Sequence, residues 1–465
     1  MYKRKESNKN SYYPSFLCME VDTPDYLDAL AHIPLDERTE AAFLHEYIHY
    51  LQDLTTITGH ARIETIVDQV KWAADKCSEH RKLTIPLDAS STYAFNMNPN
   101  YSSLKLCKGD FKVKNTQGYN ITPNIHRIIS FQLEKSSIHL PCGTKAHGDA
   151  DAVLLFQDES GHQYRYKIGE LAISESMAYL IENMVYKDVL QKGGDCPYEV
   201  VEKTSEWKLN QSVDKLILIA LCDVCLMYSL PGKVLYHLLE FLSTYSDKIT
   251  PALIYIYGLG PNISSLFKRT ISWTNELEKV SYESRRQFHD YFTHPQWEHI
   301  MNAVSISYYA AIKMRLDNPT FFLDIACGGQ LSRNDAFRKV LSMVGCLSVK
   351  TSRDLIYNIV PFNCAEQYID ADWFLSLHQL YNTLFTKDAI KTDSNGCKCI
   401  EKNCELKEWC HNSFIKKNEP DITQNSLNCK YAPWLNVSPN DVKQCSFGRL
   451  WTAYGFSRVK LKLKK

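Results

Sequence analysis

The 465-residue sequence has no surplus of either charge: 53 Lys and Arg balance 53 Asp and Glu. A nucleic-acid footprint needs clustered positive charge, so this balance argues against a large surface of that kind. Long apolar runs are missing too. Stretches such as residues 216–222 fall well short of the roughly 20 residues that a membrane-spanning helix needs, and no membrane association is expected. Residues 1–10 are polar and basic (Lys3, Arg4, Lys5, Lys9), and no apolar segment of secretory type follows. The expected compartment is cytoplasmic. There the 16 cysteines would serve as thiols or metal ligands, not disulfides.

What remains is an ordinary globular composition, 45% hydrophobic and 23% charged, in a chain long enough for two or three domains. One short stretch organises it: Phe43-Leu44-His45-Glu46-Tyr47-Ile48-His49-Tyr50. The spacing predicts a helix over about 37–58, with Asp36 or Thr39 as cap and Gly59 as stop. Leu44, Ile48, Leu51 and Leu54 would face the core. On such a helix His45 and His49 stand one turn apart on one face, where two imidazoles can share a zinc ion. Glu46 lies slightly around the helix, at the general-base position for a metal-activated water. Two histidines and a glutamate packed in a core are costly unless paired or metal-bound. Asp53, one turn beyond His49, is a candidate hydrogen-bond partner for the non-ligating nitrogen of a ligand histidine.

Zinc with an open position needs a third protein ligand. Residues 170–183 read as a good helix former whose apolar centre carries Glu175. That carboxylate needs a partner, which makes Glu175 the first candidate, followed by Glu182 and Glu170. With these residues in place, the chain resembles the gluzincin-type zinc metallopeptidases. The phrase His-Glu-Tyr-Ile-His-Tyr-Leu-Gln also resembles motifs of poorly characterised bacterial metallopeptidase-like proteins. The resemblance implies zinc on His45, His49 and Glu175, Glu46 as base, and hydrolysis of peptide bonds in a protein or peptide substrate. The pattern departs from the best-known one in three respects. Glu175 follows more than a hundred residues after the motif, Tyr179 stands where an aspartate is usual, and strand-like sequence follows the motif helix instead of preceding it. Tyr50 to His60 lack the spacing of an extended third-histidine motif.

The rest of the chain suggests a mainly α (α+β) fold. Residues 1–13 read as a disordered tail, followed by an irregular lead-in with a short strand near 16–21. A second helix is expected from about His60 to Lys76, with His60 itself as a cap or surface residue. Runs at 83–86, 104–107, 128–133, 152–156 and 164–168, separated by turn signals, predict a small antiparallel sheet inserted between helices. Residues 184–205, with Gly193, Gly194 and Pro197, read as a loop. Residues 14–205 would hold the site, 206–390 a helical domain, and 391–465 a cysteine-rich module with a basic tail. Cys222 and Cys225, a C-x-x-C pair in an apolar helix, read as buried thiols. For an oxyanion-stabilising group the sequence offers His289, His294, His299, Tyr179, Tyr308 or Tyr309 without choosing among them. Near the C-terminus Cys397, Cys399, Cys404 and Cys410 suggest a second zinc or an iron–sulfur cluster. A different class of function rests on that module: a nonhydrolytic protein- or nucleic-acid-interaction protein. The sequence assigns no oligomeric state.

Overall fold

A computed structural model describes residues 10–23, 36–79, 82–87, 108–114, 120–139, 145–187, 189–190, 194–245, 248–353, 355–361, 370–386, 391–392, 398–399, 406, 446–456 and 460–463. The fold is mainly helical with small sheets. Among the described residues no helix is long and apolar enough to cross a membrane.

Helix α1 (Glu37–Thr55) is the motif helix. Asp36 caps it, accepting from the Thr39 amide at 3.0 Å and the Thr39 hydroxyl at 2.5 Å. Glu37 and Glu40 lie in its first turn, where negative charge suits the helix dipole. The apolar stripe expected of a surface helix gives way to burial all round: every residue from Thr39 to Thr55 is buried. The helix runs through the middle of the molecule. At its end the Thr55 and Thr56 hydroxyls donate to the Leu51 and Gln52 carbonyls, at 2.6 and 2.7 Å, and Thr56 breaks the helix with extended backbone.

Gly59 is not the stop. Helix α2 (Ile57–Glu79) begins before it. Gly59 lies where α2 crosses the end of α1, and a Cβ there would sit on the Gln52 carbonyl oxygen and 2.5 Å from the Asp53 Cα. Its lack of a side chain permits the close crossing. His60 is neither cap nor surface residue. It is wholly buried, its ring 5.3 Å from that of Tyr308, and burial pushes its pKa down to about 3.

Helix α3 (Glu170–Val185) packs along α1 and supplies the glutamates. It directly follows a three-stranded antiparallel sheet, β3 (Arg127–His139), β4 (Lys145–Gln157) and β5 (Gln163–Ile168). This is the inserted sheet that alternation and turn residues predict. The run at 104–107 lies outside the described residues, and the run at 83–86 pairs elsewhere, in parallel with Lys460–Leu463. Lys215–Leu226 and Pro231–Leu242 form a helix pair broken at Leu230, as the Pro-Gly signal implies.

The N-terminal reading needs correction. Ser11–Tyr13 is a strand, β1, antiparallel to β2 (Cys18–Val21). Strand β2 in turn pairs in parallel with β6 (Cys346–Thr351), which is antiparallel to β7 (Ile356–Ile359). Tyr12, Tyr13, Phe16 and Leu17 are buried in the same apolar core as Leu44, Leu341 and Trp373. Burying four large apolar side chains offsets the cost of ordering this segment, a gain that the polar residues before it conceal.

Candidate metal centre

Helices α1 and α3 bring three donor atoms together. His45 Nε2 and His49 Nε2 lie 3.3 Å apart. Glu175 Oε2 is 3.4 Å from the first and 3.6 Å from the second. All three residues are buried. The i, i+4 spacing puts both imidazoles on one face of α1, and α3 presents Glu175 to them across the helix–helix contact.

The other ring nitrogens fix the tautomers. His45 Nδ1 donates to Glu182 Oε2 at 2.8 Å. Glu182 and Glu175 are seven residues apart, two turns along one face of α3, so the two carboxylates bracket the His45 ring. His49 Nδ1 donates to Gln52 Oε1 at 2.9 Å. The orientation of Gln52 is set in turn by its amide group, which donates to the Ser174 carbonyl at 3.1 Å. Each Nδ1 therefore carries a proton, and each Nε2 presents a lone pair to the centre. Two lone pairs and a carboxylate oxygen meeting at this range in a buried place repel one another unless positive charge lies among them. Burial acts to raise the Glu175 pKa, whereas a proton on either facing Nε2 would make that ring an imidazolium and hold the carboxyl below the usual carboxylate range. The group could hold a metal ion.

The three glutamates proposed for one role divide among three. Glu175 faces the two Nε2 atoms. Glu182 orients His45. Glu170 pairs with Arg62. Asp53 does not serve His49, as the spacing suggested: it accepts from the Tyr12 hydroxyl and the Ser15 amide, each at 2.6 Å, and pairs with Arg62. Gln52, one residue earlier, takes the His49 nitrogen.

A cleft opens on the centre. It is lined by Asn10, Ser11, Tyr12, Pro14, His45, Glu46, His49, Arg62, Phe111, Ser174, Glu175 and Tyr198. Glu46 is buried, at 5% exposure, yet it reaches this cleft. Tyr12 stacks beside His49 with ring centroids 6.3 Å apart, and Tyr198 meets the His45 ring edge-on at 6.4 Å. Tyr198 comes from the stretch read as loop, which instead holds a helical turn, Asp195–Tyr198, and the start of a helix, Val200–Leu209.

None of the six oxyanion candidates lines this cleft. Tyr179 donates to Glu199, Tyr308 lies beside Ser284, and Tyr309 is 65% exposed. His289 pairs with Ser305, His294 caps a short helical turn, and His299 lies near Asp370. Sequence reasoning missed Tyr12, Arg62, Gln52 and Tyr198. Only Gln52 carried a signal, being three residues after His49 on the same helix. Cys222 and Cys225 are buried free thiols, and burial pushes both pKa values up. Cys397, Cys404 and Cys410 lie outside the described residues. Cys399 is described only as backbone, in the strand Lys398–Cys399. Compared with known proteins, the chain matches no family model, no curated protein and no solved structure.

Proposed function

We propose that this protein is a zinc-dependent peptidase of gluzincin type. Zinc is held by His45, His49 and Glu175, and a protein or peptide is hydrolysed in the cleft above it. The observation that carries this reading is the triangle of donor atoms, 3.3, 3.4 and 3.6 Å on its sides. Donors about 2.0–2.1 Å from zinc at tetrahedral angles are about 3.3–3.4 Å apart. The triangle thus matches one face of a zinc tetrahedron, and the fourth corner is left for water or substrate. The outer partners fit as well. Metal-binding imidazoles commonly donate their second N–H to a carboxylate or carbonyl oxygen, as Glu182 and Gln52 provide.

Zinc in this position would polarise a substrate carbonyl and acidify a water. Glu46 then accepts a proton from the attacking water and delivers it to the leaving amine. Glu182 holds the His45 ring in the tautomer that leaves Nε2 unprotonated, and Gln52 does the same for His49. Reduced thiols in a cytoplasmic setting belong to the same reading.

Glu46→Gln tests it. The amide keeps shape and hydrogen bonding but cannot take the proton. Zinc content should stay that of the wild type, while peptide turnover falls about 10²–10⁴-fold. Equal turnover in the two proteins would refute the mechanism.

A further inference from the structure

The proposed reaction makes no use of the buried hub at Asp53. This carboxylate is fully enclosed, one turn beyond His49. Its bonds go to the N-terminal segment, through the Tyr12 hydroxyl and the Ser15 amide, and to Arg62 on α2. Arg62 also pairs with Glu170 at the start of α3. Both carboxylates are buried, whereas the guanidinium keeps 19% exposure and lines the cleft. Asn10, Ser11, Tyr12 and Pro14 line it too. The segment is tied down further: the Asp22 amide donates to Asn10 Oδ1 at 2.6 Å and the Tyr13 hydroxyl to Glu20 at 2.9 Å. A buried carboxylate is tolerated only with its donors in place. Asp53 therefore fixes a piece of strand β1 and a guanidinium together, against the helix that carries the histidines.

We propose that segment 10–14 and Arg62 form a substrate-binding wall of the cleft, with Asp53 as the positioning residue that sets it. The inference rests on the zinc-peptidase reading for its ligand class, an extended peptide, whose carbonyl oxygens a guanidinium can bind. Its own content is that the wall acts on the peptide and not on the metal. His49 is oriented by Gln52, so loosening Asp53 leaves the ligand set intact.

Two probes separate wall from metal: acetohydroxamate, which offers zinc a chelating group alone, and a tripeptide hydroxamate, which adds a peptide to it. Binding of each is measured by calorimetry on the zinc-loaded full chain and on Tyr12→Phe, Asp53→Asn and Ser11→Trp. Tyr12→Phe removes one hydroxyl and Ser11→Trp alters the wall without touching the hub, so the test survives if Asp53→Asn does not fold. The tripeptide probe should weaken about fivefold or more in each variant, the loss of one hydrogen bond or contact. Acetohydroxamate should stay within about twofold and zinc content should not change. In Asp53→Asn the amides of residues 10–17 should also exchange hydrogen faster. Equal weakening of both probes would mean that these residues act through the metal site, and no weakening of either would mean that the segment is not a wall; either result overturns the proposal. Failure of both probes to bind the zinc-loaded wild type overturns it as well. The expected binding pattern without any peptide turnover by the wild type would sink the hydrolytic reading alone and leave the wall standing.

Discussion

Glu170, Glu175 and Glu182 show how neighbours decide what a carboxylate does. All three are buried on one helix, and their surroundings alone distinguish them: two imidazole Nε2 atoms for Glu175, an imidazole N–H for Glu182, a guanidinium for Glu170. Their substitutions should separate accordingly. Glu175→Ala should abolish metal binding at this centre. Glu182→Gln should lower metal affinity about 10–100-fold, the usual effect of losing an outer partner. Glu170→Ala should leave metal affinity unchanged and destabilise the fold through loss of one of the two carboxylate partners of Arg62, the Asp53 pair remaining. Zinc titrations of the three proteins check the order, and a larger loss for Glu182→Gln than for Glu175→Ala would contradict it. The sequence pointed to Glu175 because an apolar helix centre makes a carboxylate conspicuous. It could not separate ligand from outer partner, because residues two turns apart share a face. Nor could it show that Asp53 bonds to Tyr12 and Ser15, since those contacts span about forty positions of chain.

The helix pair α1–α2 sets the geometry of the centre at the scale of elements. Gly59→Ala would gain roughly 1 kcal/mol of helix propensity. Against that stands a methyl group driven into backbone atoms of Gln52 and Asp53, and overpacking of this kind costs about 1–3 kcal/mol. Backbone cannot yield as a side-chain end can, so the clash should win. Lower thermal stability and weaker metal binding are expected together, because Gln52 holds His49; a Gly59→Ala protein as stable as the wild type would contradict the close crossing.

Glu64, further along α2, faces Trp273–Tyr291. Burial, then the charges of Asp68 and Glu283, push its carboxyl up from 4.5 to about 7 against the opposing pull of Arg286. Folding therefore favours its protonated form. The resulting penalty is absent below about pH 4.5, grows as pH rises and is full above about 7. Glu64→Gln should raise the melting temperature at pH 8 and leave it nearly unchanged at pH 4. A difference that does not vary with pH would count against this placement. Helices and the inserted sheet were legible from periodicity and turn residues, which are local. Strand β1 was not, because its hairpin partner β2 is itself anchored on residues 346–351, far along the chain.

At the scale of the molecule, an apolar core of the described residues runs from Tyr12 to Phe456. A fully buried ion pair lies within it. Arg315 donates to both oxygens of Asp223, at 2.8 and 2.9 Å, and the Tyr255 hydroxyl adds a bond at 2.5 Å. Asp223→Ala leaves a guanidinium enclosed without its counter-charge, which should cost about 3–5 kcal/mol in urea unfolding. Replacing both partners, as Asp223→Leu with Arg315→Met, should recover most of that; a double variant no better than the single would argue that the pair is needed for more than charge balance. The central claim, though, concerns what lies between three atoms of α1 and α3. Crystals of the full chain grown with zinc, with diffraction recorded on both sides of the zinc absorption edge, address it directly. The expected result is an anomalous peak within bonding distance of His45 Nε2, His49 Nε2 and Glu175 Oε2. Density showing those three side chains in the same arrangement with no zinc peak among them would contradict the metal centre, and the peptidase reading with it.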